Sequence, residues 1–142
     1  VMFPMVSGVD EVRQARCALD DAIRLHGGGQ PAGLRVGIMV EVPAMALKTA
    51  AVAPYVDFLS IGTNDLTQYA LAAERGNPAL DALADGLDPG VLRLIDAVCR
   101  GAAGRAPVGL CGELAADEPA VAVLTGLGIR QLSVAAMWKA PA

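Results

Sequence analysis

Two carboxylate residues follow apolar segments of the sequence and are the first candidates for chemistry. Glu41 comes directly after the apolar residues 36–40, and Asp65 follows the apolar residues 58–62. A charge beside such segments is costly unless a cation or a hydrogen-bond donor faces it. His26 lies far from both carboxylates in the pattern, so an oxygen-ligated Mg²⁺ ion fits better than Zn²⁺. The alternative is that Glu41 caps the next helix and Asp65 pairs with an arginine.

Cys111 and Arg75 are the other side chains whose types suit a reaction. Cys111 ends a predicted strand, and a thiol is mostly protonated at neutral pH, so it can donate a proton. The alternative for Cys111 is a small buried apolar residue, as most free cysteines are. Arg75 precedes a predicted loop, where a guanidinium can hold a phosphate or carboxylate with two hydrogen bonds. A surface position is the simpler interpretation of a single arginine. His26 is expected to be a solvated residue at a helix end.

Short apolar segments and helical patterns alternate along the chain and must position these residues. The predicted strands are residues 1–6, 34–41, 56–62, 107–111 and 131–135. A helical pattern follows each of the first four strands. Ser7 is expected to cap the first helix with Asp10 as its capping-box partner, and residues 64–66 to cap the third. Trp138 is expected to serve packing or an interface.

The order of these elements predicts the fold class. Strand–helix alternation indicates a parallel sheet, either an open doubly wound sheet or part of a closed (β/α)₈ barrel. A dinucleotide-binding glycine motif is missing after every strand, which weakens the first arrangement. Polar residues at the carboxyl ends of the strands, Glu41, Asn64, Asp65 and Cys111, favour the second. The prediction is an α/β fold, a parallel TIM-type barrel with about five of its strands, because a whole barrel needs about 250 residues and the chain has 142.

Composition and charge exclude several classes of protein. Charged residues make up 18% of the chain and the net charge is -4, with no basic run. A nucleic-acid or membrane partner is therefore not expected, since both need a basic face. The three cysteines are widely spaced and match neither a disulfide framework nor a zinc motif. A reduced, cytoplasmic protein is expected.

Four motifs together resemble a known family. They are Met-Phe-Pro-Met at residues 2–5, Gly-Ile-Met-Val-Glu-Val-Pro-Ala at 37–44, Ser-Ile-Gly-Thr-Asn-Asp-Leu-Thr-Gln-Tyr at 60–69 and Leu-Cys-Gly-Glu-Leu-Ala-Ala-Asp at 110–117. Their order and spacing are similar to those of phosphoenolpyruvate-utilising enzymes. Residues 73–77 and 111–115 resemble enzyme I of the bacterial sugar phosphotransferase system. Pyruvate phosphate dikinase and phosphoenolpyruvate synthase share two of the motifs and are the alternative.

The resemblance implies a function for each candidate residue. Glu41 and Asp65 would be Mg²⁺ ligands, with Asp65 also at the substrate. Asn64 and Arg75 would bind the phosphate of phosphoenolpyruvate. Cys111 would be the catalytic acid–base residue, which gives a proton to the methylene carbon of the enolate as pyruvate forms. Residues 1–142 would be a partial barrel domain, the C-terminal half of the phosphoenolpyruvate-binding barrel with its last five strands.

The resemblance also implies what lies outside this sequence. The phosphoryl group would pass to a histidine on a missing N-terminal domain and from there to the phosphocarrier protein HPr, as the first step of sugar uptake. The full-length protein would be a homodimer. Family members bring further arginines to the phosphate from earlier strands, and no segment here matches them, so the chain alone is expected to be inactive. A competing hypothesis is a non-catalytic half-barrel interaction module, whose open sheet edge would need a partner.

Overall fold

Strands and helices alternate through residues 1–135, the part of the chain that a computed structural model describes; Trp138 lies outside it. The strands are β1 (Met2–Phe3), β2 (Gly37–Val40), β3 (Phe58–Gly62), β4 (Val108–Cys111) and β5 (Gln131–Ser133). The helices are α1 (Val9–His26), α2 (Pro43–Val52), α3 (Thr63–Leu71), α4 (Pro89–Ala102) and α5 (Glu118–Leu127). Short 3₁₀ turns cover Ala53–Tyr55, Asp81–Leu83 and Glu113–Ala116. None of the helices described here is long and apolar enough to cross a membrane.

The five strands form one parallel sheet in the order β1-β2-β3-β4-β5. Each strand therefore pairs with the next strand along the chain, as in a (β/α) barrel, whereas a doubly wound sheet reverses its strand order. The register places Val40 beside Ile61 and Gly62 beside Cys111. The fold is α/β with part of a parallel (β/α) barrel, which confirms the predicted class.

One face of the sheet packs against the helices and forms the hydrophobic core. Alternate strand residues on this face, such as Ile38, Ile61 and Leu110, have no exposed surface. They pack with buried helix residues that include Met45 of α2 and Ile95 of α4. The intervening residues point to the other face of the sheet, because successive side chains alternate along a strand. That other face carries Met39, Ser60 and Cys111, all only partly buried.

The first turn of α1 differs from the prediction. Gly8, not Ser7, is the N-cap residue, and the capping carboxylate is Glu11, not Asp10. The Glu11 side chain accepts hydrogen bonds from the backbone amides of Ser7 and Gly8. A capping carboxylate acts from the third helical position, which Glu11 occupies once Gly8 is the cap. His26 is exposed in the last turn of α1, as predicted.

Candidate functional site

Glu41 is a buried carboxylate at the carboxyl end of β2. The residue is 3% exposed, and its Oε1 accepts a hydrogen bond from the backbone amide of Met5 at 2.7 Å. Burial raises the pKa of the Glu41 carboxyl above its ordinary value, and the Met5 amide opposes that rise. The nearby Asp65 carboxyl raises the pKa further. The fold therefore places the Glu41 carboxyl where its charged form is disfavoured.

Asp65 faces Glu41 from the first turn of α3. The two carboxyl groups lie within hydrogen-bonding reach of each other, which is one cause of the raised pKa of Glu41. The Arg75 guanidinium lies 3.7 Å from Asp65 Oδ1, and its charge acts on Glu41 in the opposite direction. The Arg75 side chain is about half exposed at 55%. Two facing carboxylates with one guanidinium beside them thus form the acidic part of the site.

Gly62 leaves room for the Glu41 side chain to lie across β3. A Cβ atom at Gly62 would stand 2.9 Å from Glu41 Oε2 and 2.9 Å from the sulfur of Met39. Gly62 pairs with Cys111 on its other side. Glu41 and Cys111 therefore flank the same glycine on the face of the sheet opposite the helices.

The Cys111 thiol has two polar neighbours on β3. The Ser60 hydroxyl donates to the Cys111 sulfur at 3.7 Å, and the thiol donates to the carbonyl of Ile61 at 3.5 Å. The Thr63 hydroxyl donates to the Cys111 carbonyl oxygen at 2.8 Å. These contacts fix the end of β4 against the junction of β3 and α3. The half-buried thiol is thus held on the same face of the sheet as the Glu41 carboxylate.

Asn64 does not cap α3 as predicted. Helix α3 begins at Thr63 directly after β3, with Gly62 as its N-cap, so Asn64 and Asp65 lie inside the first turn. Asn64 Oδ1 accepts a hydrogen bond from the Glu113 amide at 2.9 Å. Gly112 permits this approach, because its φ of 102° is left-handed and a Cβ there would stand 2.8 Å from Asn64 Oδ1. The Asn64 NH₂ group remains available to donate to an anion.

The structure brings most of the predicted residues together. Glu41, Asp65 and Arg75 form one connected group, and Cys111 stands across Gly62 from Glu41. Asn64 and Arg75 both line a neighbouring pocket of about 640 Å³. Sequence reasoning missed the residues that position this group: Met5, Ser60, Gly62, Thr63 and Gly112. Among them, Gly112 directly follows the candidate residue Cys111, and Gly62 lies two positions before Asn64.

The pair of carboxylates suits a hard cation. Mg²⁺ is commonly bound by one or two protein carboxylates, with water and substrate oxygens as the remaining ligands. Glu41 and Asp65 provide that number, and burial together with the neighbouring Asp65 carboxyl raises the pKa of Glu41. In residues 1–135 no group of three or more His, Cys, Asp or Glu side chains is placed to hold a metal ion. The site thus fits an ion that keeps oxygen ligands from a substrate.

Comparison with known proteins shows the family of the chain. Residues 1–138 match the family model described as the phosphoenolpyruvate-binding domain of phosphoenolpyruvate-utilising enzymes. The chain belongs to this family. It is 50% identical over 135 residues to a multiphosphoryl transfer protein of Rhodobacter capsulatus, a match that covers 94% of the chain. It is 47% identical over 140 residues to a phosphoenolpyruvate-protein phosphotransferase of Haloferax volcanii, and 43% identical to one of Priestia megaterium.

The chain spans only a small part of these relatives. The matches to the Haloferax and Priestia proteins include 96% of this chain. They include only 25% and 24% of those two proteins. Of the Rhodobacter protein it covers 16%. The family resemblance seen in the four sequence motifs is confirmed, and it concerns one domain of larger proteins.

Proposed function

We propose that residues 1–142 are a partial barrel domain of a phosphotransferase. The whole protein would take the phosphoryl group of phosphoenolpyruvate, pass it to a protein histidine and release pyruvate, as the first step of sugar uptake by the phosphotransferase system. The observation that carries the proposal is the facing pair Glu41 and Asp65, with Arg75 beside it, in a chain of the phosphoenolpyruvate-binding family. The names of its relatives favour a protein phosphotransferase over a dikinase.

In this proposal Glu41 and Asp65 hold a magnesium ion. Held by these two residues, Mg²⁺ would supply positive charge opposite the anionic substrate. The Met5 amide holds one Glu41 oxygen, and the second lies over Gly62 on the face that carries Cys111. A cation at this place would also offset the free-energy cost of burying the negative charge of Glu41.

Arg75 and Asn64 are proposed to bind the substrate phosphate. The Arg75 side chain is half exposed and keeps only a long contact with Asp65, so most of its donors are free for an anion. The side-chain oxygen of Asn64 accepts a hydrogen bond from the backbone amide of Glu113. The NH₂ group of the same side chain would then donate to the phosphate. Two donors from one helix and the loop after it would thus orient the phosphate.

Cys111 is proposed to transfer the proton. When the phosphoryl group leaves, the enolate of pyruvate needs a proton on its methylene carbon. The thiol would give that proton, and the resulting thiolate would accept a hydrogen bond from Ser60. In the reverse direction the thiolate would remove a proton from the methyl group of pyruvate. Glu41 and Cys111 lie on either side of Gly62, so one substrate would be within reach of both the carboxylate and the thiol.

For the whole protein we further propose the partner HPr, a homodimer and a cytoplasmic location. The name phosphoenolpyruvate-protein phosphotransferase, which two of its relatives carry, supports a protein acceptor. The choice of HPr, the homodimer and the location rests on the resemblance of the sequence motifs to enzyme I. The earlier barrel strands and their arginines would complete the phosphate site.

Calorimetric titration of phosphoenolpyruvate in the presence of Mg²⁺ tests this proposal. The chain should bind phosphoenolpyruvate only with the metal, and a Glu41→Ala/Asp65→Ala variant should not bind. Asp20→Asn is the matched control, because Asp20 is an exposed carboxylate on α1 away from the site. Metal-independent binding, or binding that survives in the double variant, would overturn the assignment of the two carboxylates. A folded chain without binding would mean that this domain needs the missing strands.

A further inference from the structure

Arg75 lies in an exposed segment after α3, and its contact with Asp65 does not explain its position. The guanidinium lies 3.7 Å from Asp65 Oδ1, which is longer than a hydrogen bond, and both side chains are at least partly exposed. A contact of this kind contributes little, because ordering a long side chain costs conformational entropy. The position of Arg75 therefore depends on the groups that hold its backbone.

Gln68 in the second turn of α3 holds that backbone. Its carbonyl oxygen accepts hydrogen bonds from the amides of Ala72 and Ala73, the second at 3.1 Å. Its side-chain Oε1 accepts a hydrogen bond from the Arg75 amide at 3.2 Å. Ala72 has a left-handed φ of 52°, which ends the helix, and Ala73 is buried with 1% of its surface exposed. The segment after α3 is thus bound to Gln68 through both the backbone and the side chain of that residue.

The Arg75 amide has no acceptor in the turn that contains it. Residues 74–77 form a turn in which the Asn77 amide donates to the Glu74 carbonyl at 3.3 Å. Arg75 is the second residue of this turn, and a hydrogen bond from the fourth residue to the first does not use its amide. A backbone amide needs an acceptor, and the Gln68 side chain provides one. The orientation of the turn therefore depends on this side chain.

The position of Gln68 in α3 also explains why Arg75 lies near Asp65. Asp65 and Gln68 are three residues apart, so both side chains lie on the same face of the helix. A turn that is bound to Gln68 is held over the face that carries Asp65. We propose that Gln68 is a positioning residue for Arg75, an inference that rests on the proposed function of Arg75 in binding the substrate phosphate. Gln68 acts through the Arg75 backbone and directs the guanidinium towards the metal-binding carboxylates.

Amide exchange with water, measured by NMR on the ¹⁵N-labelled chain, tests the hydrogen bond itself. Gln68→Met removes the acceptor but keeps the length and the helix propensity of the side chain. It should increase the exchange rate of the Arg75 amide by about two- to tenfold, as the loss of one hydrogen bond implies. Gln68→Glu retains an acceptor oxygen and should keep the Arg75 amide at least as protected as in the wild type. Gln14→Met is the matched control, because Gln14 is exposed on α1.

Calorimetric titration of phosphoenolpyruvate with Mg²⁺ tests the consequence for binding. Gln68→Met should raise the Kd by about two- to tenfold, since an anchored arginine loses less freedom when it binds the phosphate. The same substitution in an Arg75→Ala background should have no further effect, because Gln68 acts only through Arg75. Gln14→Met should leave the Kd unchanged.

Three results would overturn the proposal. The first is an unchanged exchange rate of the Arg75 amide in Gln68→Met. The second is faster exchange throughout α3, which would show a general loss of helix stability. The third is an equal rise of the Kd with and without Arg75. A folded wild type that does not bind phosphoenolpyruvate would count against phosphate binding by this chain alone, and the exchange rate at Arg75 would still decide whether Gln68 holds the turn.

Discussion

The backbone amide of Met5 donates a 2.7 Å hydrogen bond to Glu41 Oε1, although the two residues are 36 positions apart. Met5 adopts a left-handed conformation with a φ of 54°, which is uncommon for a residue with a long side chain. This conformation turns the amide after β1 towards the end of β2. The hydrogen bond fixes one Glu41 oxygen and leaves the other over Gly62. The orientation of the buried Glu41 carboxylate thus depends on the backbone at Met5 and on the backbone at Gly62.

Substitution of Gly62 by alanine should destabilise the domain. The new Cβ would stand 2.9 Å from both Glu41 Oε2 and the Met39 sulfur, so the carboxylate would have to leave its position over β3. Overpacking of this kind costs about 1–3 kcal/mol of unfolding free energy. Urea denaturation followed by circular dichroism measures the change.

Gly126→Ala is the control for that experiment. Gly126 lies in α5, and a Cβ atom there would meet no other atom within 4 Å. Alanine should stabilise this helix by up to about 1 kcal/mol, because glycine is a poor helix former. If Gly62→Ala were as stable as the wild type, Glu41 would not lie across β3 as the structure has it.

Replacement of Glu41 by glutamine should increase stability at neutral pH. Burial first, and then the Asp65 carboxyl, raise the pKa of Glu41 above 4.5 in the folded protein. The folded state therefore binds the proton more tightly than the unfolded state, and wild-type stability falls as pH rises above 4.5 through the folded pKa. Glutamine carries no charge and still accepts from Met5, so the variant escapes this loss.

Thermal melts across a pH series test this linkage. The Glu41→Gln variant should have the higher Tm at neutral pH, and the difference should shrink below pH 4.5. Glu118→Gln is the control, because Glu118 is an exposed carboxylate in the first turn of α5 and should gain no stability from neutralisation. A constant Tm difference over the whole series would mean that the burial of charge at Glu41 is not its cause.

The sequence predicts the edge at which the site forms but not the contacts that orient it. Glu41 and Cys111 follow apolar segments, and the parallel order of the strands is enough to bring them to one edge. The role of Gly62 depends on the register of β2, β3 and β4, which hydrophobic patterns do not determine. The role of Met5 depends on a left-handed backbone that no sequence signal marks in methionine.

Helix ends were the other part that the sequence predicted poorly. Asn64 is a residue type that commonly caps helices, and this preference led to the wrong prediction for α3. In the structure β3 passes into α3 without a loop, so Gly62 takes the cap position. Asn64 then binds the backbone after β4, a contact between distant segments. Local propensity was overridden by a tertiary hydrogen bond.

Thr63→Val should destabilise the domain although it keeps the shape of the side chain. Thr63 is 2% exposed, and its hydroxyl donates to the Cys111 carbonyl at 2.8 Å. Valine would leave this carbonyl without that partner at the end of β4. Loss of one partner of a buried hydrogen bond costs about 1–3 kcal/mol. Urea denaturation measures the loss, with the exposed Thr125→Val as control. An equal effect of both substitutions would show that the contact with Cys111 contributes nothing.

Alkylation with iodoacetamide should distinguish the three cysteines of the chain. Cys17 is exposed on α1 and should react fastest. Burial raises the pKa of the Cys99 thiol, so it should react more slowly than Cys17 at neutral pH, because the thiolate is the reactive form. Peptide mass spectrometry after short exposures gives the rate at each site. In urea the three rates should become similar, which separates the effect of the fold from that of local sequence.

Phosphoenolpyruvate with Mg²⁺ should then protect Cys111 from alkylation. In the proposed site the substrate lies between the Glu41 carboxylate and the Cys111 thiol, which flank Gly62 on one face of the sheet. A bound substrate would therefore cover the thiol and lower its alkylation rate, whereas the rate at Cys17 on α1 should stay the same. Protection should disappear in Asp65→Asn, which weakens the metal site without changing the thiol. Slower alkylation of Cys17 and Cys111 alike would indicate a general stabilisation of the fold, and the thiol would then have no demonstrated place at the substrate.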